Sequence, residues 1–260
     1  MTHALRVLRT GALLEARNVI TSNFMLFCVF VQPFFIGVTV MFMLRHRPDF
    51  DPVYVVVGTA LSGIWSAVLF EGNWIIGGER RVGTLELLVA SPTPLLLAIG
   101  GRLAGSMGFS VSSVALAYVI VAWLFGAPIR LADAPGFALS TLLAVFALWC
   151  TGMLLAPLGV LARTISRFVV ILEYPVYALS GFLFPILLLP GWTNPISLAL
   201  PPFWAAQAMH MTSSGEAWAL PLAAVWAILL GTGLTALLIS VPLFSAVLRR
   251  ARVAGTLSLT

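Results

Sequence analysis

Two carboxylates, Glu71 and Glu173, stand within long runs of apolar residues, where an ionisable group is costly unless a partner or a function holds it. Glu71 falls roughly two helical turns before Gly78, and Glu173 a similar distance past Arg167. Two readings follow: pairing with an arginine near a membrane–water boundary, or a polar lining for the path of a solute or coupling ion. Other chemistry lacks its residues. The chain has no lysine, which removes both a phosphate-binding P-loop and a Schiff-base nucleophile. There is no His-Glu-x-x-His, no aspartate lies inside an apolar run, and Ser180-Gly181 lacks the preceding glycine and nearby histidine of a serine-protease site. His3, His46 and His210 are solitary, and Cys28 and Cys150 sit in apolar stretches, so neither a metal site nor a disulfide framework is expected. The expectation is a chain without catalysis and without a bound cofactor.

The elements that must position these carboxylates belong in lipid. Of 260 residues, 60% are hydrophobic and 9% charged, against about 45–50% and about 25% in soluble domains. The mean hydropathy is +1.05. Apolar runs of spanning length occur at about Phe24 to Leu44, Val53 to Gly77, Leu95 to Phe125, Gly136 to Leu161, Phe168 to Leu189 and Trp218 to Leu248. The expected fold is therefore an all-α integral membrane protein with six transmembrane helices over residues 23–248. A basic tail of residues 249–260 follows, and no room is left for a separate soluble domain.

The net charge of +5 does not form one basic face, so nucleic acid is not an expected partner. Alternate segments place Arg6, Arg9, Arg17, Arg80, Arg81, Arg102, Arg163, Arg167, Arg249, Arg250 and Arg252 on one side, and Arg45, Arg47 and Arg130 on the other. Arginine excess on short loops marks the cytoplasmic side, so both termini are expected there. Trp74, Trp123, Trp192, Trp204 and Trp218 near span ends read as an interfacial belt.

Three segments interrupt the plain hairpin pattern. In residues 1–22, Leu5, Leu8, Ala12 and Val19 share a helical arc with Arg6, Arg9 and Arg17 on another side, which predicts an amphipathic helix along the cytoplasmic surface. Gly78 to Pro92 begins polar, turns helix-compatible from Thr84 to Ala90, and is stopped at Ser91-Pro92 because the residue before proline is disfavoured in the α region. Thr84 is the expected N-cap and Glu86 suits the positive end of the helix dipole. Pro185 to Glu216 carries five prolines but no basic residue, which predicts re-entrant or interfacial helices at the outer face.

The stretch Glu79-Arg80-Arg81-Val82-Gly83-Thr84-Leu85-Glu86-Leu87-Leu88-Val89-Ala90-Ser91-Pro92 resembles the Arg-x-x-Gly-Thr-Leu-Glu-x-Leu-Leu-x-(Ser/Ala)-Pro elbow of the permease subunits of ABC-2 type ATP-binding cassette transporters. Ser180-Gly181-Phe182-Leu183-Phe184-Pro185, with Leu189-Pro190-Gly191-Trp192, is similar to their turn after span five. Length and surrounding sequence look closest to drug-exporter and Nod-factor-exporter permeases.

The resemblance implies two permeases, this chain with a second copy or a paralogue, and two ATP-binding subunits that hold ATP and Mg. It implies export of an amphipathic or hydrophobic molecule across the cell membrane. Arg80, Arg81, Gly83, Thr84, Leu85, Glu86, Leu88, Ser91 and Pro92 become the coupling element, with Leu85 and Leu88 as an apolar ridge for the ATPase. Phe182, Phe184, Pro185, Leu188, Pro190 and Trp192 become the outer gate. An ion-coupled secondary transporter using Glu71 and Glu173 is the alternative, and a non-transporting scaffold a third. Single cysteines at Asp49, Asp133 or Ser214, in a background without Cys28 and Cys150, are expected to react with an impermeant maleimide on intact cells; one at Ser258 is not. Labelling at Ser258 reverses the orientation.

Overall fold

The computed structural model describes residues 2–46, 51–91, 93–126, 131–161, 171, 173–182, 189–215 and 218–254, and every regular element among them is a helix. In chain order these are α1 (Thr2–Thr21), α2 (Asn23–Leu44), α3 (Pro52–Val82), α4 (Leu85–Ala90), α5 (Leu95–Leu124), α6 (Ala134–Leu161), α7 (Asn194–Ala199), α8 (Pro201–Ser214) and α9 (Leu222–Ala254). Five of them, α2, α3, α5, α6 and α9, are long and apolar enough to cross a membrane. The expected span from Phe168 to Leu189 lies partly outside the described residues; its described part is helical over 173–179. Arg163, Arg167, Pro92, Phe184, Pro185 and Leu188 also lie outside them.

The bundle is organised around α3. In its most apolar stretch 94% of the residues are enclosed, against 22% in α9, which presents Leu238, Ile239 and Val241 outward. Lipid is as apolar as leucine, so close helix contact depends on small residues that let backbones approach. A methyl group added to Gly72 of α3 would lie 3.1 Å from the Gly152 carbonyl oxygen of α6, and one on Gly233 of α9 would lie 2.8 Å from the Ala147 Cα. Pro33 follows a π-helical stretch, Phe27–Val31; the widened turn relieves the clash between its ring and the preceding carbonyl.

The N-terminal helix has its expected length and packs along the start of α5. Its inward face is Leu8, Ala12, Glu15 and Val19, while Leu5, expected on that face, is 64% exposed. A Cβ on Gly101 would sit 2.8 Å from the Leu8 carbonyl oxygen, and one on Gly105 2.8 Å from the Ala12 Cα. Leu8 meets Gly101, and one turn later Ala12 meets Gly105, so α1 runs alongside the start of α5 in the same direction instead of crossing it. The physical reason is the Gly101-x-x-x-Gly105 face, which admits a backbone where larger residues would hold α1 away.

The long segment before the last span is helical, as expected, yet more deeply packed than an interfacial loop. α8 buries Pro202, Phe203, Trp204, Ala205, Ala206, Ala208, Met209, Thr212 and Ser213 against α3, α6 and α9. Trp204, expected in an interfacial belt, is 5% exposed; its ring packs with Phe203 and Trp218, and its indole N–H donates to the Leu198 carbonyl at 2.9 Å. Trp123 and Trp192 do face outward.

Gly101→Ala and Gly105→Ala are expected to lower stability by roughly 1–3 kcal/mol through overpacking. Gly108→Ala, where nothing lies within 4 Å of an added Cβ, is expected to be neutral or slightly stabilising. Thermal midpoints of the three variants in lipid nanodiscs check this, and equal effects would remove the α1–α5 packing account.

Candidate functional site

The elbow begins where α3 ends. Gly83 adopts φ +76°, a left-handed conformation that side chains resist, and the Thr84 N–H returns to the Glu79 carbonyl at 3.0 Å. That six-to-one bond is the Schellman closure of α3. Thr84 precedes α4 but gives no side-chain cap to it. Its hydroxyl turns back instead, donating to the Glu79 carbonyl at 3.2 Å and to the Glu79 carboxylate. Ser91 closes the other end, accepting from the Thr93 N–H at 3.3 Å and donating to the Leu88 carbonyl at 2.9 Å.

On α4 the two central leucines divide. Leu88 packs partly buried against the main core, whereas Leu87 is 72% exposed. Leu88 therefore anchors the elbow to the bundle, and Leu87 is its outward apolar group. Arg80, Arg81, Leu85 and Glu86 lie on described backbone, but their side chains are outside the described set.

Behind the elbow sits the charge cluster that holds it. Arg102 of α5 donates from Nε to Glu15 of α1 at 2.5 Å and from a terminal guanidinium nitrogen to Glu79. The Glu71 carboxyl hydrogen-bonds Glu15, and Arg102 lies in electrostatic range of it. Arg102 therefore bonds Glu15 and Glu79 directly, while Glu71 joins the cluster through Glu15. Arg102 was legible only as one member of a count of arginines, and Glu15, 3% exposed, carried no signal of its own. Their meeting follows from the glycine face that draws α1 onto α5.

Glu173 has a different environment. It is 2% exposed, and its Oε1 accepts from Gln32 of α2 at 2.8 Å, Ser66 of α3 at 2.5 Å and Tyr177 at 2.7 Å. The Tyr177 and Ser66 hydroxyls lie 2.7 Å apart, and Tyr177 also reaches the Ser62 carbonyl at 3.3 Å. No salt bridge to Glu173 is found among the described residues. Its charge is met by uncharged donors from three segments, which ties α2, α3 and residues 173–177 together.

The same seam continues to the Tyr54 end of α3. Tyr54 donates to the Gly181 carbonyl at 2.7 Å, and its ring stacks on His210 of α8 at 4.2 Å and 18°. Gly181 has φ +71°, and Phe182 is fully buried against Tyr177. Of the expected outer gate, Phe182 is therefore core, while Pro190 and Trp192 are exposed. Burial pushes the His210 imidazole down to about 4, and no carboxylate among the described residues pairs with it. Among the described residues no group of three metal-ligating side chains occurs, and both cysteines are buried and free.

No protein-family model matches the chain, and no curated protein matches it.

Arg102→Ala leaves buried carboxylates without their cation, and the expected loss is about 3–5 kcal/mol. Adding Glu15→Gln to Arg102→Ala is expected to restore part of it. A double-mutant cycle on unfolding midpoints reads the coupling, and simple additivity of the two changes would mean that the pair does not interact.

Proposed function

We propose that this chain is the membrane-spanning subunit of an ATP-driven exporter, with six spans and both termini in the cytoplasm of the cell membrane. The observation that carries the reading is the elbow. A short helix projects from the most enclosed span, closed by the Gly83 turn and braced by Glu79 on Arg102. A partner pushing on α4 moves α3 with little slack, because the turn between them is locked by a backbone bond and a charged bond. The absence of lysine leaves the chain without a P-loop, so ATP and Mg belong to two separate ATP-binding subunits. A second copy or a paralogue completes the pathway, and the few charges of the apolar interior suit an amphipathic or hydrophobic cargo.

The coupling surface in this reading is Leu87 together with Leu85, flanked by Arg80 and Arg81. Leu88 is its internal anchor. Exposed charges at an interface rim contribute about 0–1 kcal/mol, whereas apolar anchors contribute about 2 kcal/mol or more. An ion-coupled carrier would instead need Glu71 and Glu173 to exchange protons or sodium during transport. The neutral donors around Glu173 and the Arg102 cluster around Glu71 supply both carboxylates with structural partners, which disfavours that alternative.

Leu87→Asp is expected to reduce co-purification of the ATPase by at least about tenfold while leaving membrane insertion and melting unchanged. Arg80→Ala should be mild, and Leu88→Asp should lower the melting temperature of the isolated chain. Transport in sealed vesicles should require ATP, be blocked by vanadate and continue when the proton gradient is collapsed. Transport that stops with the gradient and ignores vanadate would make the chain a secondary carrier.

A further inference from the structure

Three segments distant in sequence converge on one carbonyl at the Tyr54 end of the bundle. Tyr54, near the start of α3, donates to Gly181, the left-handed residue of the turn after 173–179. His210 of α8 lies flat against the Tyr54 ring and also touches the Gly181 backbone. The hydroxyl of Ser180, next to Gly181, is buried without a hydrogen-bond partner, as is Nε2 of His210. A turn whose neighbouring polar atoms are left unsatisfied is weakly committed to its closed arrangement, since each such atom regains hydrogen bonds when water reaches it.

We propose that Tyr54 and His210 form an acid-released latch: the neutral imidazole, stacked on Tyr54, holds the Tyr54–Gly181 bond closed, and its protonation frees the 180–182 turn from α3 and α8. This latch is a property of the chain itself and does not depend on the exporter reading.

The surroundings support the direction of the switch. α8 carries no titratable side chain besides His210. α7 carries none, and α9 has none before Arg249 at its far end. On the α3 side the nearest groups are Tyr54 itself and Asp51, whose carboxylate accepts from the Val53 N–H at 2.9 Å. On the α6 side it is Asp133, whose carboxylate accepts from the Gly136 N–H at 3.0 Å. Along the 173–182 segment they are Tyr174, Tyr177 and Glu173, the last bonded by Gln32, Ser66 and Tyr177. Both aspartates serve as helix caps, and neither pairs with the imidazole among the described ion pairs. A proton added to His210 therefore places a charge in a buried stack where no carboxylate among the described residues pairs with it. That state is relieved when the ring leaves Tyr54 and meets water.

The linkage has a definite sign. The folded imidazole titrates at about 4 and a free one at about 6.5, so the closed latch binds fewer protons than the open one. Closure is fully favoured above about pH 6.5 and weakens as pH falls toward 4. Between about pH 7.5 and about pH 5 the open population should rise about thirtyfold.

The test uses the full chain in nanodiscs with Cys28 and Cys150 replaced by Ala and Ser180→Cys as reporter. Reactivity is followed with 4,4′-dithiodipyridine, which modifies thiols in acid as well as at neutrality. The expected result is slow modification near pH 7.5 and a rise of about thirtyfold near pH 5. The rise should vanish in His210→Gln, and Tyr54→Phe should be fast at both pH values. A second protein, retaining Cys28 as the only thiol, reports general unfolding and should stay unreactive near pH 5. A rise that persists in His210→Gln, no rise in the parent, or equal exposure of Cys28 each overturns the latch.

Discussion

One guanidinium holds the Glu79 end of this protein together. Arg102 is partly buried among Glu15, Glu71 and Glu79, three carboxylates from the N-terminal helix and from two turns of α3. In a chain with 9% charged residues such a concentration is costly, and it persists only while every member is bonded. Pairs at this depth are less screened than surface pairs, so the geometry of the three helices is tightly specified. α1 is drawn onto α5, α3 is fixed against both, and the Glu79 carboxylate that receives Arg102 also receives Thr84 at the root of the elbow. The elbow inherits its rigidity from that shared carboxylate.

What brings the charges within reach is the absence of side chains. Gly101 and Gly105 let α1 approach until its carbonyls lie where a Cβ would otherwise be, and Gly72 of α3 does the same for the Gly152 carbonyl of α6. In lipid, apolar contact between helices has little advantage over contact with acyl chains, so close backbone packing and buried hydrogen bonds decide which faces meet. The faces of α3 show both devices: small residues toward α6, and Tyr54, Ser62 and Ser66 toward residues 173–181.

Hydropathy alone reveals the five helices long enough to cross a membrane, because a run of about 20 apolar residues has few other uses. Gly83 is the residue type that a left-handed helix end favours, and it closes α3 with φ +76°. The finer assignments depend on tertiary contact. Thr84 has the residue type of an N-cap, but its backbone is in the α region, with ψ −11°, and its hydroxyl points back to donate to Glu79, so its oxygen does not accept from the α4 amides. Leu87 and Leu88 are indistinguishable as residue types, and only the direction from which the core approaches α4 separates them. Trp204 sits near a span end in sequence, yet Pro201-Pro202 start a helix that carries it inward beside Trp218. Arg102 enters a count of arginines by side as one charge among fourteen, whereas its role comes from α1, whose docking is set by glycines that carry no charge signal.

The two ends of α3 are held by interactions of different character, and this bears on how a 31-residue helix could transmit movement. At the Glu79 end the bonds are charged, and breaking one leaves a buried ion exposed to the full desolvation penalty. Along the seam the donors are hydroxyls and an amide; a bond to the Glu173 carboxylate contributes about 1.5–3 kcal/mol and a neutral one about 0.5–1.5 kcal/mol, and each donor is replaceable by water or by another hydroxyl. Glu173 accepts three of them at one oxygen, so losing any single donor leaves the carboxylate still solvated by the other two. A displacement applied at the elbow therefore meets a rigid joint first and an exchangeable one later. The exchangeable joint runs along α3 from Ser66, near its middle, to Tyr54 at the end opposite the elbow.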